Sequence, residues 1–155
     1  FFIDKELEFQ NYMPCSFSPS GYKTNFDAFG NALVLLLNIG SEDFQKNILT
    51  HAYTLATTSK LGLLPAFWPP IFETDEYWNL LKNNCKYEFR NYPYEFHNGG
   101  SWSMVNGFFG LALLLKEEQQ KALLILDNIN QANAINDFSF YENFNTNTKE
   151  HSIDL

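Results

Sequence analysis

Residues 94–115, YEFHNGGSWSMVNGFFGLALLL, decide how this chain is read. The first part, Tyr94–Trp102, gathers a histidine, an amide, two adjacent glycines, a hydroxyl and several aromatic rings. The apolar run Met104–Leu115 follows at once and predicts a buried helix over Ser101–Lys116. Adjacent glycines let a backbone take φ > 0 or approach a ligand closely. Ser101 is placed to cap the helix, whose first N–H groups are otherwise free. One reading is a polar, ring-lined loop at the mouth of a buried helix, suited to a small hydroxyl-rich molecule. The other is a Gly-Gly turn before a core helix, with His97 hydrogen-bonded to backbone.

The same pattern occurs earlier in the chain. Asn25–Ile39 is apolar on nearly every side, which predicts a helix buried all round, capped by Thr24 or Asn25. Ser41–Ser59 places Phe44, Ile48, Leu49, Ala52 and Leu55 at helical spacing with charges opposite, the pattern of an outer helix. Glu117–Ala132 repeats that amphipathic pattern after the second apolar run. Between the two pairs, Lys60–Asn98 is long, proline-broken and rich in rings, with a short helix expected over Thr74–Asn84. Phe1–Phe17 has weak helical spacing up to Pro14. The expected fold is therefore all-α: an incomplete (α/α) toroid of alternating inner and outer helices, with an ordinary helical bundle as the rival. Residues 1–155 form one domain on this reading, and 132–155 form a polar, loosely held tail.

Composition narrows the function. Aromatics make up 17% of 155 residues, too many for a disordered chain. The net charge of −8, with Arg90 the sole arginine, excludes the basic patch that nucleic acid needs and disfavours an anionic membrane. Neutral ligands fit this balance best. Cys15 and Cys85 form no CxxC and have no nearby histidine, so both read as buried thiols and neither a metal site nor a cofactor is expected. No apolar run approaches the ~18 residues of a membrane span. The start at Phe1 without Met predicts a fragment or processed chain, and the cytoplasm is the expected location.

Two stretches, SPSGYKTNFDAFGNALVLLL (18–37) and YEFHNGGSWSMVNGFFGLALLL (94–115), resemble the alkaline/neutral invertases and the related bacterial amylo-α-1,6-glucosidase-like proteins. PPIFETDEYW (69–78) and FYENFNTNTKEHS (140–152) resemble further segments of that family. Ser103 stands where the family has proline, and Lys23 and Asn25 stand where it has an acidic residue and an arginine. The resemblance implies the C-terminal portion of an (α/α)6 barrel that hydrolyses a glycosidic bond with inversion. Such enzymes use an acid and a base set ~6.5–9.5 Å apart, leaving room for a water. It implies Glu73 as general base, with Glu76 the second choice, and places the general-acid aspartate upstream, so the chain alone is expected to be inactive. The sugar-binding residues it implies are His97, Asn98, Gly99, Gly100, Ser101, Trp102, Trp68 and Tyr22. The expected partners are a neutral carbohydrate and the missing barrel helices, or a partner chain, over the inner helices. A non-catalytic carbohydrate-binding or scaffold module of the same fold is the alternative.

Overall fold

The computed structural model describes residues 11–18, 21–83 and 88–148. The expectations for residues 1–10, for Cys85 and for the end of the tail from 149 lie outside the described residues. The elements are β1 (Pro14–Ser18), β2 (Gly21–Asp27), α1 (Ala28–Leu36), α2 (Glu42–Thr58), β3 (Phe67–Trp68), α3 (Trp78–Asn83), β4 (Ser101–Trp102), α4 (Ser103–Leu115), α5 (Gln119–Asn133), α6 (Ile135–Phe138) and β5 (Asn143–Phe144). About half of the described residues are helical, so the all-α expectation holds only in part. Strands β1, β2 and β3 form an antiparallel sheet in that order, and β4 pairs antiparallel with β5. Among the described residues no helix is long and apolar enough to cross a membrane.

The first apolar helix starts later than its composition predicts. Phe26 pairs with Pro14 on one side and Trp68 on the other, which keeps the chain extended through Asp27. Asp27, not Thr24 or Asn25, is the N-cap: its Oδ1 accepts the Gly30 N–H at 2.8 Å. Helix α4 likewise begins at Ser103 because Ser101 and Trp102 are paired with β5. Ser101 therefore does not cap it. Helix α2 follows its sequence signals closely, with Ser41 accepting the Phe44 N–H and Glu42 and Asp43 in the first turn. Helix α3 starts at Trp78 because Asp75 instead closes a turn, accepting the Phe72 N–H at 2.6 Å.

Helix α1 packs on α2 and on α4, and α4 packs on α5. The core between them holds Phe26, Leu35, Ile48, Leu63, Leu64, Phe109, Leu113 and Ile125. The two apolar helices are not buried all round. Phe29 and Leu37 are exposed at α1 and its end, and Met104, Leu111, Leu114 and Leu115 are exposed on α4. Each helix meets neighbours on part of its circumference only, so the remaining apolar side chains face outward.

Residues 64–68 join the starts of α1 and α4. The Ala66 carbonyl accepts the Ala28 N–H at 3.0 Å, and the Ala66 N–H donates to Gly100 O at 2.7 Å. An asparagine on each helix completes the join. Asn31 accepts the Met13 N–H and donates to Met13 O and Asp27 O. Asn106 accepts the Leu64 N–H and donates to Leu64 O, Ser101 Oγ and Trp102 O. Each amide thus acts as a second peptide group for a passing segment, which explains a polar side chain on an apolar helix.

The stretch after α6 makes specific contacts with the rest of the molecule as far as residue 148. Phe144 is fully buried, and Thr146 donates its N–H to Tyr94 O at 3.2 Å and its hydroxyl to Gly99 O at 2.6 Å. One buried ring and one strand pairing hold an otherwise polar stretch against the 94–102 loop.

Candidate functional site

Two adjoining hollows open at the N-terminal ends of α1 and α4. One, of about 290 Å³, is lined by Phe29, Trp102 and Met104 together with Asp27, Phe67 and His97. The other, of about 350 Å³, shares Asp27, Phe67 and His97 and adds Cys15, Lys23 and Ile71. Volumes near 300 Å³ suit a small ligand.

The local fold explains why His97 stands at the centre. A Cβ on Gly100 would lie 2.6 Å from the Phe96 backbone N and O, and one on Gly99, at φ +100, would lie 2.8 Å from Pro70. The loop therefore closes on itself only with glycine at both positions. That closure leaves His97 exposed, its N–H donating to Asn91 Oδ1 at 3.1 Å and its ring flat on Trp102, 4.7 Å between centroids and 12° between planes. Trp102 is held in turn by Nε1 donating to Phe96 O at 3.1 Å. Trp68 and Phe72 both contact the Tyr94 ring.

The other residues expected to bind substrate divide into two groups. Asn98, Gly99, Gly100 and Ser101 are buried and engaged by the protein itself. Asn98 donates to Ile71 O and Asn91 O and accepts the Ile71 N–H, so both amide hydrogens are used. Ser101 donates to Leu64 O and accepts from Asn106. These four build the loop. Trp68, half-buried, pairs with Phe26 in the sheet. Tyr22 lies in β2, and its side chain is outside the described residues.

Glu73 and Glu76 sit in the exposed turn before α3. Asn98 ties Ile71 to the histidine loop, so this turn springs from the same end of the molecule. Neither glutamate lines the two hollows that His97 lines. Glu76 instead engages the Tyr77 phenol and raises its pKa above the ordinary value. Arg90 pairs with Glu88 at 3.1 Å, not with Glu73.

The carboxylate that does line both hollows is Asp27, which the sequence reading passed over. Its signal was present in FDAFGN: an Asp three residues before Gly30 at a helix start is an N-cap pattern. Oδ1 serves the cap, and among the described residues Asp27 has no ion-pair partner. Cys15 is half-buried rather than sealed. Burial raises its thiol pKa and Sγ donates to Lys23 O at 3.3 Å, so it is a poor nucleophile at neutral pH. The arrangement can therefore stack a flat apolar face on Trp102 and accept a hydrogen bond at Asp27. No family model matches this chain, and no curated protein is significantly similar to it.

Proposed function

We propose that the chain is part of an (α/α) toroid of the glycoside-hydrolase type, and that the twin hollows hold a neutral saccharide. The observation that carries the reading is the His97–Trp102 stack beside Asp27, at the point where both apolar helices begin. Sugars present C–H faces to rings and hydroxyls to carboxylates, and this site offers both. Helices α1 and α4 act as inner helices and α2 and α5 as outer ones, in keeping with the pairwise packing. The exposed flanks of α1 and α4 are then the surfaces that further barrel helices, or a partner chain, cover.

As a hydrolase portion, the chain carries Glu73 as general base, with Glu76 in reserve, and takes its general acid from elsewhere. A second reading, a non-catalytic carbohydrate-binding module, is favoured by one specific observation: both glutamates lie outside the hollows that His97 lines. Calorimetric titration with a panel of neutral di- and oligosaccharides tests the shared claim. Binding that Trp102→Ala abolishes is expected; no binding by any member defeats both readings. Glu73→Gln in a longer parent chain separates them, because loss of a general base removes turnover and spares binding.

A further inference from the structure

Helices α1 and α4 carry no charged residue, and the fourth residue of each is an asparagine, Asn31 or Asn106. Matched on these asparagines, the two helices compare position by position around their axes. Val34 and Phe109 correspond, and both are buried in the shared core. Two other sides differ. Ala32 and Leu35 are buried on α1, whereas Gly107 and Gly110 hold their places on α4 and border a groove. Val105 and Ala112 are buried on α4, whereas Gly30 and Leu37 hold their places on α1 and are exposed.

The contact between α1 and α4 accounts for both differences. The Phe29 and Phe108 rings meet across it, 5.3 Å between centroids. So α1 presents to α4 the side that carries Phe29, and α4 presents to α1 the side that carries Phe108. Ala32 is three residues from Phe29, and Val105 and Ala112 are three and four from Phe108, so they share those sides. The chain therefore holds one spare copy of each side. On α4 the side matching the covered one of α1 runs from Met104 through Gly107 to Leu111 and Leu114, with Met104, Leu111 and Leu114 all exposed. From Gly107 onward it forms, with Leu123 and Leu126 of α5, a groove of about 200 Å³. On α1 the side matching the covered one of α4 is Gly30, Leu33 and Leu37, of which Leu33 is half-buried and the others exposed.

No residue lining the groove is charged, and α1 is charge-free, in a chain of net charge −8. Two copies can meet on these surfaces without bringing like charges together. An apolar face of this extent marks an interaction site. We infer that the α4–α5 groove takes α1 of a second copy of the chain, repeating between chains the contact that α4 makes with α1 within one. Met104 of one copy then meets Leu33 of the next in the places of Phe29 and Phe108. The two surfaces lie on different helices, so the association is head-to-tail and adds copies until a ring closes. This deepens the toroid reading, on which it rests for the equivalence of α1 and α4 as inner helices; no saccharide enters it.

Sedimentation velocity across the micromolar range tests this. The mass of the wild-type chain is expected to rise with concentration beyond that of a dimer. Leu114→Glu, in the groove, and Leu37→Glu, on the α1 side, should each leave a monomer. Mixed, the two variants should form a 1:1 dimer and nothing larger, because each keeps the surface that the other lacks. Both leucines are exposed, so the changes spare the fold, which circular dichroism checks. Met104→Glu, also exposed, replaces Leu114→Glu if that variant unfolds. A wild-type chain that stays monomeric, leaving the groove to a further segment or another protein, overturns the inference. So does assembly by either variant alone, or a mixture that stays monomeric. Saccharide binding by a monomeric wild type upholds the proposed function and defeats the contact between copies; assembly without saccharide binding does the reverse.

Discussion

The helical pairs α1–α2 and α4–α5 use one device in two environments. On each apolar helix the fourth residue is an asparagine that bonds back to the residue before the helix and clamps a distant segment. Asn31 clamps Met13, at the half-buried rim of the three-stranded sheet. Asn106 clamps Leu64, which is fully buried, and adds a bond to Ser101. Equal side chains thus carry unequal weight, because water can replace a lost partner at Met13 and cannot at Leu64.

That inequality can be tested directly. Asn106→Ala orphans both backbone groups of Leu64 and should cost about 3 kcal/mol or more, whereas Asn31→Ala should cost about half as much. Urea unfolding of the two variants checks the order, and equal losses would contradict the role given to burial. Next in size is the glycine contrast. Gly100→Ala drives a methyl into the Phe96 backbone and should destabilise by about 2–3 kcal/mol. Gly107→Ala, with nothing within 4 Å, should stabilise α4 by about 0.5–1 kcal/mol. Melting temperatures moving in the same direction would refute the close approach at Gly100. The starts of the helices differ too: α1 has a side-chain cap at Asp27 and α4 has none. Asp27→Ala should cost about 1 kcal/mol and Asp27→Asn little, as read by chemical denaturation.

The smallest effect separates the pairs by pH. The His51 ring on α2 packs at a tilt against Tyr12 and Phe26, and burial lowers its pKa, whereas α4 and α5 contain no histidine. Protonation is easier in the unfolded chain, so this contribution is intact above the ordinary value of about 6.5 and is lost as the pH falls below it. The melting temperature should drop between neutral and mildly acidic pH, and His51→Gln should flatten that part of the profile. An unchanged profile would mean that His51 titrates alike in both states.

Legibility in the sequence followed the length of the signal. Helix α2 is written in a cap, an acidic first turn and an amphipathic stripe, and each holds. The second apolar run gave α4 to within two residues at its start and one at its end. Strands β3, β4 and β5 are two residues long, below any periodicity a sequence can display. Their pairing moved the helix starts and fixed the tail. Asparagine-rich composition hid the anchoring role of Phe144. In the HNGGSW loop polarity alone could not separate groups that build the turn from groups that face outward. The resemblance implies Asn98 and Ser101 as ligand groups; both side chains donate hydrogen bonds within the protein. Asp27 went unnoticed because it sits between aromatic residues at a helix start, where structural roles are common.

The tie between Thr146 and the 94–102 loop sets an order of events during synthesis. The Gly99 carbonyl receives its partner from a residue 47 positions later. While the ribosome is still adding those residues, both apolar helices have formed sequence enough to fold, but the histidine loop lacks its last fastening. Its final shape is reached only after Phe144 and Thr146 emerge, so the rim around His97 closes later than the two apolar helices whose starts it joins.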